Sequence, residues 1–469
     1  MSKELKSSVL AHFIAETEPE NIPQAVRQKA IRHILDSIGA GIAGAIAPET
    51  QIALKTLHNL GHHGGLSVLW GLAENQSPTN AAFINGIASH SFELDDTGGC
   101  DHSGAVVLPA AVAALDIAKQ HGKTVSGGKF VTAVILGYDV ARRALESCGA
   151  YAPHNKAGFH STGTCGTFGA AAASAYIMEL NPKQIQMALG LAGSFSSGLW
   201  ACVHDGAQSK RLHAGHAAMG GLMASCLASN DFTGPSQIFE QVWGGFDHTF
   251  APTSDVPDAW TAELGQNWKI NRVSIKPHAS CRSTHSSIDA VDLIRSSLNF
   301  NADDVEAVDI VINPFVHGMC GAFANNPMPS AQLSIPYSVA ADIVLGNASL
   351  PAFARSVRND PKIKAMMGRI HFQIDPSLPD LDEPVVTVTL KNGQSDTRKV
   401  DVPLGAPTNP ISDEQLLKKF NSVVSMVFDQ TTTDELANTL LQIESFDNII
   451  DVLCPLLGKE PINRDLFDF

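Results

Sequence analysis

The sequence predicts a mainly α-helical protein, a large all-helical domain with a smaller α+β domain inserted before the last helices. Three observations carry this. Residues up to about 265 show apolar positions at helical spacing and a heavy use of Ala and Gly. From about 266 the texture changes to alternating, β-branched runs separated by turns. From about 408 the helical pattern returns. The expected division is therefore 1–265 with 408–469 as the helical domain and 266–407 as the α+β domain.

The helices follow in order. "NIPQAVRQKAIRHILDSIGAGIAGA" begins amphipathic and ends in small residues. "GAVVLPAAVAALDIAKQHG" is an Ala-rich helix closed by a basic turn and a glycine. "SGGKFVTAVILGYDVARRALESCG", "GTFGAAAASAYIMELNPKQIQMALGLAGSFSSG" and "RLHAGHAAMGGLMASCLASN" continue the pattern. Small-residue helices without charged faces must be surrounded by other helices. "NPKQI" marks a helix start, with Asn181 as N-cap and Pro182 in the first turn. In the second domain "NWKINRVSIKP" alternates like a strand, "SSIDAVDLIRSSL" is a helix and "VEAVDIVINPF" a strand. "EPVVTVTLKNGQSDTRKVDVPLG" reads as a hairpin turned at Asn392–Gly393. "ISDEQLLKKFNSVV" opens the terminal helices, which are expected to dock back on the first domain.

At 469 residues, 44% hydrophobic and 17% charged, the chain can bury a large core. Its formal net charge of −15 argues against nucleic acid or an anionic membrane as the main partner. No stretch reaches the roughly 20 apolar residues of a membrane span, and the first residues lack a signal-peptide pattern. A cytoplasmic protein is expected. Eight scattered cysteines, with no CxxC pair and no zinc spacing, read as reduced core thiols.

Four stretches concentrate ionisable residues at loop-to-helix junctions. "SHSFELDDTGGCDHSGAVVLPAA" packs Glu93, Asp95, Asp96 and His102 closely, which is costly unless they are paired, protonated or coordinated. "NKAGFHSTGTCGTFGAA" places His160 before a small-residue helix whose free N–H groups suit an anion. "HDGAQSKRLHAGHAA" carries Lys210, Arg211, His213 and His216, and "SIKPHASCRSTHSSIDA" carries Lys276, His278, Arg282 and His285. Singly, each has an ordinary structural reading. Basic groups clustered at helix starts in an acidic protein nevertheless fit a buried site for carboxylate or phosphate. Metal patterns are weak: His213 and His216 lack a carboxylate at the usual spacing, and "ELDDT" lacks the second acidic motif that would hold a diphosphate through magnesium. No Walker loop, GxGxxG strand–turn–helix or nucleophile elbow occurs.

With those stretches in view, the sequence resembles the 2-methylcitrate dehydratase (MmgE/PrpD) family, which also holds cis-aconitate decarboxylases and an iminodisuccinate epimerase. The resemblance rests on "SHSFELDDTGGCDHSGAVVLPAAVAAL", "GYDVARR", "GFHSTGTCGTFGAAAAS", "AQSKRLHAGHAAMGGLMA", "FTGP" with "GGF", "KPHASCRSTHSSIDA" and "AQLSIPYSVA", in family order. It implies a helical domain plus an α+β domain, a homodimer, a cleft active site, and no metal or organic cofactor. Carried over, it implies site roles for Asp96, Thr97, His102, His160, Lys210 and Lys276. There are departures. Glu93 stands where relatives often carry Asp, and the loop from Thr97 to His102 is shorter than in several members. Where some decarboxylases have an aromatic, "HGMCGAF" offers Met319 and Cys320.

The implied chemistry is proton transfer at carbon next to a carboxylate of a small di- or tricarboxylate, by a lyase of the dehydratase or decarboxylase kind. An epimerase of an imino dicarboxylate is the alternative, and a non-catalytic polycarboxylate-binding protein a third reading. His102 and His160 are expected to move protons. Lys210 and Lys276, with Arg282, are expected to hold substrate carboxylates and stabilise an enolate-like intermediate. Asp96 is expected to face the cleft and orient a base, Thr97 to donate to substrate, and Asp95 and Glu93 to pair behind it, with Glu93 also expected among the substrate-binding residues. Lys210→Ala is expected to abolish activity while sparing the melting temperature.

Overall fold

The computed structural model describes residues 4–254, 256 and 258–462. Its centre is the helix Gly104–Gln120, whose positions from Gly104 to Ala118 are all buried. Helices Gln24–Gly44, Pro78–Ser91, Gly127–Ser147, Gly166–Ile177 and Ser209–Ser229 pack around it. The Ala-rich sequences explain the tightness of this bundle, because small side chains let helix backbones approach closely. Where Pro78–Ser91 crosses Ser209–Ser229, a Cβ added to Gly86 would lie 2.7 Å from Gly215 Cα. That crossing brings the C-terminal end of one helix beside the basic start of the other. Asn181 and Gln184 form the expected capping box, with Pro182 at the start of the helix Pro182–Ala192. A two-stranded antiparallel ribbon, Ser67–Leu69 with Glu74–Gln76, also belongs to this part and escaped the sequence reading.

The smaller α+β part holds a four-stranded sheet in the order Ile370–Ile374, Val305–Ile312, Val385–Leu390, Ser395–Lys399. The first pair is parallel and the others antiparallel. Val308, Ile310, Ile312, Val386 and Val388 are buried, and the helix His285–Leu298 packs on the sheet. The hairpin turns through Asn392–Gly393 as read, with Gly393 at φ +85°, a backbone state glycine adopts without steric cost.

"NWKINRVSIKP" is not a strand. Lys269–Arg272 is a 3₁₀ turn, and Ser274 makes a single bridge to Thr97. The segment's own N–H groups are used elsewhere: Lys269 donates to Asp139 and Ile275 to the Gly405 carbonyl. Its alternation comes from burying Ile270, Val273 and Ile275.

The terminal helices do return to the helical bundle. Asp413–Val424 and Gln430–Leu441 pack on Gln24–Gly44, where Lys419 Nζ reaches Asp36 at 2.6 Å. Ile450–Leu457 packs on Gly104–Gln120. Among the described residues, no single helix is long and apolar enough to cross a membrane.

Candidate active site

The acidic stretch is the loop between the Pro78–Ser91 and Gly104–Gln120 helices. Two of its non-glycine residues sit in left-handed backbone, Glu93 at φ +53° and Asp101 at φ +90°. Such conformations cost about 1–3 kcal/mol each and persist where surrounding contacts over-determine them.

Glu93 is the charge centre of the site. Its Oε1 accepts from Lys210 Nζ, its Oε2 lies 3.4 Å from Lys276 Nζ, and Arg211 stands at 3.7 Å. All four groups are buried. Burial alone would raise the Glu93 carboxyl. Lys210, Lys276, His90 and Arg211 outweigh that and hold it well below the usual carboxylate range. Gln332 ties Arg211 to this wall, accepting from its guanidinium at 2.9 Å and donating to the Phe92 carbonyl.

The two neighbouring aspartates point to different places, and the expected roles are exchanged. Asp96 does not face the cleft. It accepts from the Gly104 N–H at 3.0 Å, at the start of the central helix, and from Tyr138 Oη at 2.5 Å. Asp95 meets the histidines instead, 3.0 Å from both His90 Nδ1 and His102 Nδ1 and 4.0 Å from Lys276. Burial would raise Asp95, but His90, His102 and Lys276 hold it well below its ordinary value.

His102 and His160 are brought together, with ring centroids 6.1 Å apart, and His90 lies 4.3 Å from His102. His102 Nδ1 also contacts the Asp96 carbonyl at 2.8 Å, while its Nε2 faces Asp101 at 3.6 Å. Burial would lower His102, but Asp101 and Asp95 outweigh it and raise its pKa. His160 goes the other way, pushed down to about 4 mainly by burial, and His213, paired with it at 2.9 Å between Nδ1 atoms, to about 3. His90 is likewise lowered by burial. The surroundings thus favour the charged form of His102 and the neutral forms of His90, His160 and His213.

These groups form the wall of a cavity of about 300 Å³. Thr97, Asp101, His102 and Lys210 line it, with Tyr151 and Trp200 as its aromatic surfaces. Thr97 Oγ1 donates to Asp101 at 3.2 Å. Tyr151 also reaches Met319, with its Oη 3.9 Å from the sulfur, so aromatic surface reaches the cavity from another part of the chain than the "HGMCGAF" segment. The lining also carries Arg142 and Arg272, which donate to the Gly99 and Gly98 carbonyls of the acidic loop, and Arg282, hydrogen-bonded to Glu383. Lys276 and Glu93, expected to bind substrate, lie behind this surface and not on it.

His90, Asp101 and His213 were not assigned site roles from sequence. His90 lies three residues before Glu93 and Asp101 just before His102, so nearness to singled-out residues was the available signal. The sequence offers His213 only as a metal partner of His216, which in the structure contacts Ser197.

A mainly helical body with an attached α+β part and a buried carboxylate–histidine–lysine cavity between loops defines a class. The chain belongs to the MmgE/PrpD family: the N-terminal domain model matches residues 8–256 and the C-terminal domain model residues 278–443. Among curated relatives it is 27% identical to the cis-aconitate decarboxylase-like protein oryM of Aspergillus oryzae, over 96% of this chain and 97% of that protein. It is 25% identical to a cis-aconitate decarboxylase of Aspergillus terreus, covering 97% of each chain. The human cis-aconitate decarboxylase is 27% identical, over 94% of this chain and 92% of that protein.

Proposed function

We propose that this chain is a lyase that decarboxylates a small unsaturated tricarboxylate, with cis-aconitate as the first candidate, using its own side chains and no metal or organic cofactor. The observation that carries the reading is His102, an imidazole on the cavity wall 3.0 Å from Asp95 and 3.6 Å from Asp101, which raise its pKa, on the same lining as Lys210. The names of the relatives supply the substrate candidate.

The chemistry needs a proton donor and a place for negative charge. When the carboxylate on the substrate's methylene leaves as CO2, the electron pair of that C–C bond forms a new C=C bond. The old C=C pair moves onto the neighbouring carbon, whose own carboxylate takes up the charge as an enediolate. That carbon then takes a proton. His102 Nε2 supplies it, since Nδ1 is occupied by Asp95 and the Asp96 carbonyl. A placed general acid of this kind contributes about 10²- to 10⁴-fold. Lys210, on the same wall, stabilises the developing charge. Arg142, Arg272 and Arg282, which also line the cavity, hold the substrate carboxylates. His160, uncharged at neutral pH, faces Asp101 at 3.7 Å and helps hold the carboxylate that keeps His102 charged.

The test is incubation with cis-aconitate in deuterated water followed by NMR. The expected result is CO2 release, a terminal methylene group, and one deuteron on the carbon next to a carboxylate. Exchange or inversion of a C–H bond in iminodisuccinate without CO2 release would replace this reading with the epimerase. Loss of water from 2-methylcitrate with cis-aconitate untouched would replace it with the dehydratase. Binding of these acids with no turnover of any would leave a non-catalytic binder.

A further inference from the structure

His90, His102 and His160 each offer a ring nitrogen within 4.8 Å of those of the other two, and all three are buried. Their Nδ1 atoms are engaged: His90 with Asp95, His102 with Asp95 and the Asp96 carbonyl, His160 with His213. That leaves the Nε2 atoms. Those of His90 and His160 are buried without any hydrogen-bond partner, which is rare for polar atoms in a protein interior. Asp101 Oδ2 lies 3.6 Å from His102 Nε2 and 3.7 Å from His160 Nε2, a fourth donor beside two of the three rings.

We propose that His90, His102 and His160, with Asp101, form an inhibitory binding site for a divalent transition cation of the zinc type. Three imidazole nitrogens and one carboxylate oxygen match the ligand preference of zinc. The outer contacts match as well, since ligating histidines commonly have their second nitrogen fixed by a carboxylate or carbonyl, as Asp95 and the Asp96 carbonyl do here. Tetrahedral coordination at about 2.0 Å needs nitrogens about 3.3 Å apart, so the rings must draw in on binding. Asp101 and His102 line the cavity and give the ion a route in. A bound cation occupies His102 Nε2 and so removes the proton donor. This consequence for turnover rests on the decarboxylase reading; the binding itself does not.

Two measurements separate the two. Calorimetry with zinc chloride on the intact protein reads binding alone, and one site per chain is expected. Cobalt(II) in its place is expected to give a ligand-field spectrum of nitrogen and oxygen donors, with no thiolate-to-metal band. A thiolate band would assign the metal to the cysteines and overturn the proposal, as would no binding. His90→Asn keeps a donor toward Asp95 but removes Nε2, and it is expected to abolish the site. Asp95→Asn, by loosening the outer contacts, is expected to weaken binding about 10- to 100-fold. Unchanged binding in both folded variants would overturn the assignment. If the decarboxylase reading also holds, zinc slows cis-aconitate turnover and EDTA restores it. Zinc binding without any cis-aconitate turnover would sink the function and leave the site standing.

Discussion

The two sides of the cavity are built by opposite means. On the inner side, His102 and Lys210 line the cavity and are locked by charge to Asp95 and Glu93 buried behind them. On the outer side, the Arg272 and Arg282 side chains keep about 50% and 35% of their exposure. Buried pairs cannot rearrange cheaply, because separating them leaves an uncompensated charge. Exposed guanidiniums can swing to meet different carboxylates at little cost. In the proposed reaction, the wall would set the chemistry and the rim would admit the substrate.

The sharpest way to break this contrast is to remove the acid. His102→Asn keeps a group where Nδ1 contacts the Asp96 carbonyl and deletes the proton donor. It should lower kcat by about 10²- to 10⁴-fold in a steady-state assay while the protein still folds.

Next comes the charge centre. Glu93→Gln leaves Lys210, Lys276 and Arg211 buried without their common partner, and should cost about 3–5 kcal/mol in denaturant unfolding. The same argument revises the expectation for Lys210→Ala. Because Lys210 is buried against Glu93, its removal should lower the melting temperature as well as activity.

The adjacent aspartates give a smaller and more diagnostic pair. Asp95 helps raise the pKa of His102, and the proposed reaction uses its protonated form, so activity should fall as pH rises through that raised value. Asp95→Asn lowers the His102 pKa and should move the alkaline limb of the kcat profile to lower pH. Asp96→Asn should leave that limb in place and cost about 1–2 kcal/mol of stability, through the helix start and Tyr138. If both variants shift the limb equally, the division between them fails.

The smallest effect belongs to the rim. Arg272→Ala should raise KM a few-fold, equivalent to about 0.5–1 kcal/mol, with kcat unchanged.

The sequence made the fold legible wherever periodicity was long: the central helix, the capping box at Asn181 and the Asn392–Gly393 hairpin all follow from local chemistry. It misread 267–277, where alternation records burial against the bundle and not pairing in a sheet. In the site, the residue set was legible through family resemblance, but the geometry was not. Nothing local distinguishes Asp95 from Asp96. The left-handed turn at Glu93 and partners 117 and 183 positions away, Lys210 and Lys276, decide which carboxylate meets the histidines. The lysines were read as free clamps because a sequence does not show that one glutamate neutralises both.

That shared glutamate also sets a timetable for the growing chain. Glu93 and Lys210 emerge early, but Lys276 and then Gln332, which braces Arg211, follow much later. A nascent helical half can pair its glutamate with only part of the positive charge it is built to hold. The charge set around Glu93 is therefore complete only once the chain has been made as far as Gln332, well into its second half.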